Sequence, residues 1–205
     1  MIELYFAPTA NGLRATVALE EAALPYQIHA LDLYKGEQHT PEFQRINPAG
    51  LVPVIVDPDG PGGTPITLNQ SGAIVLYCAE KAGMLIPADP ARRALAMQWF
   101  MQAASDISGA SMTVFRLENT APEKSGANAD YFRQRLRDAF LACDRALENN
   151  DYLAGELSVA DLMLYPSYAM RKTLLVAAGG FDHLHKWGER MAARPAIARA
   201  MRYVH

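Results

Sequence analysis

Asn47-Pro48-Ala49-Gly50-Leu51-Val52-Pro53-Val54-Ile55-Val56 sets two prolines and a glycine directly before a β-branched run. Proline lacks an N–H and has a fixed φ, so Pro53 does not suit the middle of a central strand but can begin one. The Val52–Pro53 bond is a candidate for the cis form, which is essentially confined to proline. A cis bond here turns the Val52 N–H and C=O outward and leaves a backbone edge that can pair with an extended peptide. The commoner use of such prolines is a plain loop-to-strand turn, and the surrounding chain has to decide between the two.

On the N-terminal side, Ile2 to Phe6 alternates as a strand and Pro8 ends it. Asn11 is a suitable N-cap for a helix over Leu13 to Ala23, stopped by Pro25, and Tyr26 to Leu33 reads as a second strand. Thr40-Pro41 opens a short helix, with proline in its first turn. On the C-terminal side, Asp57 to Gly63 is a turn, Ile66 to Leu68 a short strand, and Ser71 starts a helix to about Lys81. The order β-α-β-α-β-β-α combines a right-handed parallel βαβ opening with an antiparallel hairpin, the thioredoxin-type layout. Residues 1–82 form this predicted domain, and 83–90, with Pro87 and Pro90, have linker composition. Residues 91–205 show only helical periodicity. Arg92 to Leu117 reads as one long helix bent near Gly109, Asp130 to Leu147 as an amphipathic helix, and Ser158 to Leu174 as a central apolar one. Phe181 to Ala193 and Ala196 to Tyr203 complete an all-helical second domain.

Half the residues are apolar and 20% are charged, the composition of an ordinary globular protein with length enough for a core. The net charge of −3 divides into nine acids against three bases over residues 1–80 and thirteen acids against sixteen bases over 81–205. Neither half carries a dense basic run, which argues against nucleic acid as a partner. No apolar run has the length of a membrane span and Met1-Ile2-Glu3 opens no signal peptide, so a cytoplasmic location is expected. Cys78 and Cys143 lie far apart in apolar helical patterns, with no CxxC, and His29, His39, His183, His185 and His205 have no metal-ligand spacing. Neither a metal site nor a dithiol centre is expected.

Three motifs in order carry a resemblance: Asn47-Pro48-x-Gly50-x-Val52-Pro53, Asn69-Gln70-Ser71-Gly72-Ala73-Ile74 and the capping box Ser158-Val159-Ala160-Asp161. Together they resemble the cytosolic glutathione transferases over essentially the full chain. The loop Phe6-Ala7-Pro8-Thr9-Ala10-Asn11-Gly12 is similar to that of the bacterial nu-class and related disulfide-reductase-like members. With no cysteine between residues 5 and 12, the thiol-transferring classes that use a protein cysteine fit less well. The resemblance implies glutathione as cosubstrate without a metal, a small electrophile or disulfide as second substrate, and a homodimer built on the first long helix and residues 68–77.

Glutathione carries two carboxylates, an amine and a thiol, and the resemblance gives each a partner. The N-terminus of the Ser71 helix suits the γ-glutamyl carboxylate, because free N–H groups and the helix dipole favour an anion there. Gln70 reads the same group by hydrogen bonding, and Asp106 is a candidate for the amine, across a dimer interface or as a plain surface residue. Val52, exposed by Pro53, pairs with the cysteinyl backbone, while Gln38 and Lys35 lie where relatives bind the glycyl carboxylate. Thr9 and Asn11 are the implied thiolate donors, with Tyr5 as rival; the bland alternative is that Asn11 caps a helix and Thr9 ends a strand. A thiol of pKa about 8.5 must be lowered to react as thiolate at neutral pH. Met112, Phe115, Arg116, Tyr168 and Arg171 are the candidates to line the second-substrate pocket, and a cleft-facing Arg116 or Arg171 favours an anionic substrate such as another glutathione. The alternative to an enzyme is a binding module that holds glutathione or a peptide without activating it.

Overall fold

The computed structural model describes residues 1–204, so His205 lies outside the described residues. It divides into two compact units, residues 1–86 with 192–205 and residues 87–191.

The first unit is thioredoxin-like. Strands β1 (Ile2–Phe6), β2 (Tyr26–Ala30), β3 (Val54–Asp57) and β4 (Ile66–Asn69) form one sheet in the order β2-β1-β3-β4. The β1–β2 pair is parallel, and β3 runs antiparallel to both β1 and β4. Ile2, Leu4 and Phe6 alternate onto the buried face. There the helices α1 (Ala10–Glu21) and α3 (Ser71–Ala82) pack on each other. The short α2 (Pro41–Ile46) carries buried Phe43, whose ring lies 5.8 Å from Tyr5. Thr40 caps α2 through its side chain, as the Thr-Pro signal predicts.

Three sequence expectations are corrected. The cap of α1 is Thr9, whose hydroxyl accepts from Gly12 N at 3.1 Å; Asn11 sits two residues further in, as the second residue of the helix. The extended conformation of Thr9 lets the helix begin at Ala10, earlier than the apolar pattern from Leu13 suggests. The long helix keeps α geometry at Gly109 itself. It widens after α4 (Pro90–Met101), in a π-turn over Gln102–Ile107 where Ser108 Oγ donates to Ala103 O at 2.7 Å, and again after α5 (Ser108–Phe115), in a π-turn over Arg116–Thr120. The last helix, α9 (Pro195–Met201), does not belong with the second unit. Ile197 and Ala200 are fully buried, Arg194 forks onto Glu21 of α1 at 2.6 and 2.8 Å, and Arg199 pairs with Glu20 at 2.6 Å. An apolar stripe with two basic residues facing two acids of α1 explains why this terminal segment returns to the first unit.

The second unit is all-helical, with α6 (Gly126–Ala146), α7 (Val159–Ala178) and α8 (Asp182–Ala192) beside α4 and α5. The capping box at Ser158 is present. Asp161 is fully buried and accepts from Ser158 N, Ser158 Oγ, Leu153 N and Trp187 Nε1 at 3.0–3.2 Å. Burial pushes its carboxyl up to about 6 against these four donors. One residue thus fixes the start of α7, the preceding loop and α8. No helix among the described residues is long and apolar enough to cross a membrane.

A buried polar cluster ties β3 to α3. Asp57 accepts from the Tyr77 hydroxyl at 2.5 Å and pairs with Lys81 Nζ at 2.9 Å. Burial alone raises a carboxyl, but the Tyr77 and Lys81 contacts more than offset it and hold Asp57 below its usual value. A depressed folded-state pKa contributes stability that is complete above the unfolded value of about 3.9 and is lost as pH falls through the folded value. Asp57→Asn is therefore expected to cost about 1–3 kcal/mol at pH 7 in urea unfolding, a deficit that stays level from about pH 5 to 8 and shrinks below about pH 4.

Candidate functional site

Sheet register brings the glutathione-candidate residues to one end of the first unit. Val54 is paired with Tyr5 on one side and Asn69 on the other. The start of β3 therefore lies beside the end of β1, which leads to Thr9 and Asn11, and beside the end of β4, which leads to Gln70 and Ser71. Val52, two residues before Val54, falls where β4 passes into α3. The Val52–Pro53 bond is cis, and neither backbone group of Val52 has a hydrogen-bond partner among the described residues.

The loop before Pro53 is held by Asn47, a residue that motif reading quoted but assigned no role. It is 1% exposed; Nδ2 donates to Leu51 O at 2.8 Å, and Oδ1 accepts from Ala49 N and Asn69 Nδ2, both at 3.2 Å. Gly50 takes a φ of 62°, and a Cβ there would meet His39 Nδ1 at 2.9 Å and Gln38 O at 3.1 Å. The Val52 loop thereby lies against the Gln38 segment. Gln38 Oε1 is enclosed without a hydrogen-bond partner among the described residues. Lys35 is exposed and pairs with Asp32 at 3.1 Å, so its cation is already engaged.

At the other side, Gln70 holds a φ of 69°, a conformation that side chains other than glycine adopt at a cost of order 1–3 kcal/mol and that clusters at functional sites. It leads into α3 without a side-chain cap. Ser71 is the first helical residue, buried, with its hydroxyl turned to α1: it donates to Asn11 Oδ1 and accepts from Arg14 Nη1, both at 3.5 Å. Arg14 Nη1 also donates to Asn11 Oδ1 over a short distance. Arg14 is 1% exposed, and desolvation by burial lowers its guanidinium to about 10, which leaves it charged at neutral pH. A lone arginine on a helix reads as a solvated residue. The available signal was its place inside Leu13–Leu19, whose apolar residues run all round the helix rather than along one stripe.

Thr9 and Asn11 thus lie at the strand-to-helix turn next to the N-terminus of α3. Tyr5 points elsewhere. It stacks on His29 with centroids 4.9 Å apart and approaches Phe43, on the sheet face opposite Leu4 and Phe6. Cys78 and Cys143 are buried, and burial pushes both thiols up to about 12, so neither is a nucleophile. No group of three His, Cys, Asp or Glu residues able to hold a metal occurs among the described residues.

This geometry agrees with the comparisons. The glutathione S-transferase N-terminal domain matches residues 10–81, and the C-terminal domain matches residues 93–195. The disulfide-bond oxidoreductase YfcG of Escherichia coli (strain K12) is 34% identical over 203 residues, covering 98% of this chain and 94% of the relative. The chain belongs to the glutathione S-transferase family. Among solved members of that family, a glutathione transferase from Pseudomonas putida with one glutathione disulfide bound per subunit superposes with a TM-score of 0.88 at 30% identity, covering 98% of this chain and 90% of that one. A Burkholderia graminis glutathione transferase with two glutathione molecules per subunit gives 0.87 at 31%, covering 98% and 87%.

The second unit of this transferase-family chain treats its candidates unequally. Met112, Phe115 and Arg116 are exposed on α5 and the turn that follows it, and Asp106 is exposed on the π-turn. Arg171 is half-buried and donates to Ser111 Oγ at 3.0 and 3.2 Å, bridging α7 to α5. Tyr168 is corrected. It is 2% exposed, its hydroxyl bonds His185 Nδ1 at 3.0 Å, and Gly188 gives it room against α8, where a Cβ would overlap its ring. A position in the most apolar part of α7 made it a core side chain rather than a pocket wall.

Asn47→Ala removes three hydrogen bonds from a buried loop anchor. It is expected to destabilise the protein by about 2–3 kcal/mol in urea unfolding. Glutathione affinity, measured by calorimetry, is expected to fall with it because the Val52 edge loses its support.

Proposed function

We propose that this protein binds glutathione at the Val52–Ser71 edge and uses its thiolate as a nucleophile, with disulfide exchange as the preferred reaction. The observation that carries the reading is the convergence of an open Val52 backbone edge, an uncapped α3 N-terminus and the Thr9–Asn11 turn at one end of the sheet. Val52 takes the cysteinyl backbone as an added strand would, and Pro53 supports that edge. The γ-glutamyl carboxylate lies on the first-turn N–H groups of α3, that of Ser71 among them, with Gln70 beside it. Gln38 serves the glycyl end, joined by Lys35 where its ammonium exchanges Asp32 for the glycyl carboxylate. Thr9 already accepts from Gly12 N, which leaves its hydroxyl proton to donate to sulfur, and Asn11 supplies an amide donor. Hydrogen bonds to the charged form lower the thiol pKa.

In the exchange, glutathione thiolate attacks one sulfur of the disulfide, forms a mixed disulfide and expels a thiolate that takes up a proton. A second glutathione attacks the mixed disulfide, releasing the other thiol and leaving glutathione disulfide. One disulfide is reduced and two glutathiones are oxidised, and no protein cysteine enters the balance. The two buried cysteines support this reading, as do the disulfide-bond oxidoreductase of Escherichia coli and the disulfide-bound Pseudomonas putida transferase. Exposed Met112, Phe115 and Arg116, with Arg171, are the proposed contacts of the second substrate, and two arginines favour an anionic one. A cytoplasmic homodimer, with Asp106 reaching the glutathione amine of the partner subunit, completes the proposal.

A side-by-side assay of glutathione with hydroxyethyl disulfide and with an aryl halide tests it. Disulfide reduction is expected to exceed conjugation by about tenfold or more in kcat/KM, and Thr9→Ala to lose about tenfold, the value of one hydrogen bond to a charged atom. Tight glutathione binding with turnover of neither substrate would establish a binding module instead.

A further inference from the structure

We propose that Arg14 is a positioning residue: its guanidinium fixes the Asn11 amide so that Nδ2, not Oδ1, faces the glutathione sulfur. The proposal rests on the reading of Asn11 as a thiolate donor and adds the device that makes it one. An asparagine amide has an oxygen that repels a thiolate and a nitrogen that binds it, on the two arms of a single carbon. With both arms free, rotation of the amide presents either one. A guanidinium carries donors only, so the Asn11 atom facing Arg14 Nη1 has to be the oxygen. The Ser71 hydroxyl, 3.5 Å from that same oxygen, adds a second donor. The nitrogen is thereby turned to the opposite side, and Nδ2 has no partner among the described residues.

Arg14 is well suited to hold this arrangement. Asn11 and Arg14 are three residues apart on α1 and share a face, so the contact costs no rearrangement of the helix. The guanidinium is almost fully buried and bonds Ser71 at the start of α3 as well, which immobilises it. The simpler role is a tie between α1 and α3. That role affects unfolding but leaves the titration of the bound thiol unchanged.

The test is the pH titration of thiolate absorbance in the glutathione complex of the full-length protein, for wild type, Asn11→Ala, Arg14→Met and the double variant. Arg14→Gln serves if Arg14→Met does not fold, and Arg14→Lys is the conservative rescue. Asn11→Ala and the neutral Arg14 variant are each expected to raise the thiol pKa by about one unit, with the double variant no higher than either single one. Arg14→Lys is expected to lie closer to wild type. Additive shifts in the double variant would overturn the proposal, since Arg14 would then act on sulfur independently of Asn11. A shift in Asn11→Ala with none in the neutral Arg14 variant would also overturn it while sparing the donor reading. No shift in Asn11→Ala rejects the donor reading itself, and Arg14 positioning with it.

Discussion

Val54 is paired on both sides, with Tyr5 of β1 and Asn69 of β4, and the arrangement of the candidate site depends on that register. Side chains alternate along a strand, so a slip of one residue would turn Ile55 and Leu4 out of the core. The register therefore cannot drift. It fixes Val52 opposite the β4–α3 junction and sets the Thr9 turn beside them. Pro53 stops the strand just before the open edge, and the buried Asn47 amide holds the approach to it.

Two kinds of charge management surround this end of the sheet. The α3 N-terminus is left without a side-chain cap and enters from a strained Gln70, an arrangement that costs stability and keeps N–H groups available. Beneath it, a buried arginine donates to Asn11 and Ser71. Burying a guanidinium is expensive unless its donors are satisfied, so its place between two polar side chains is a physical requirement as much as a functional one. The far side of the same unit is secured differently, by Asp57 with Tyr77 and Lys81 and by the α9 arginines on Glu20 and Glu21.

Much of this was legible in the sequence because it is written in residues with narrow conformational uses. Pro53, Thr40-Pro41 and the Ser158–Asp161 box each mark a boundary through missing donors or capping oxygens, and the structure has its elements there; Ser71 also opens its helix, but from inside the first turn rather than as its cap. Thioredoxin-like order followed from strand and helix alternation. What escaped were contacts over long sequence distance. Arg14 with Ser71, Asn47 with Asn69, and α9 with α1 join residues 57, 22 and about 180 positions apart, which no local periodicity encodes. Tyr168 escaped for the opposite reason: helical periodicity gives a face but not its neighbour, and Trp187 and His185 supplied the neighbour. Asn11 was given the cap that Thr9 provides because both are good capping residues two positions apart.

The glutathione reading stands or falls on where the sulfur sits. A crystal structure of the protein soaked with glutathione disulfide measures this directly. The expected result is one cysteinyl backbone paired with Val52, the adjoining γ-glutamyl carboxylate on the first turn of α3, and the sulfur about 3–3.5 Å from Thr9 Oγ1 and Asn11 Nδ2. A sulfur held by the Tyr5 hydroxyl, or a ligand bound away from the Val52 edge, would contradict it.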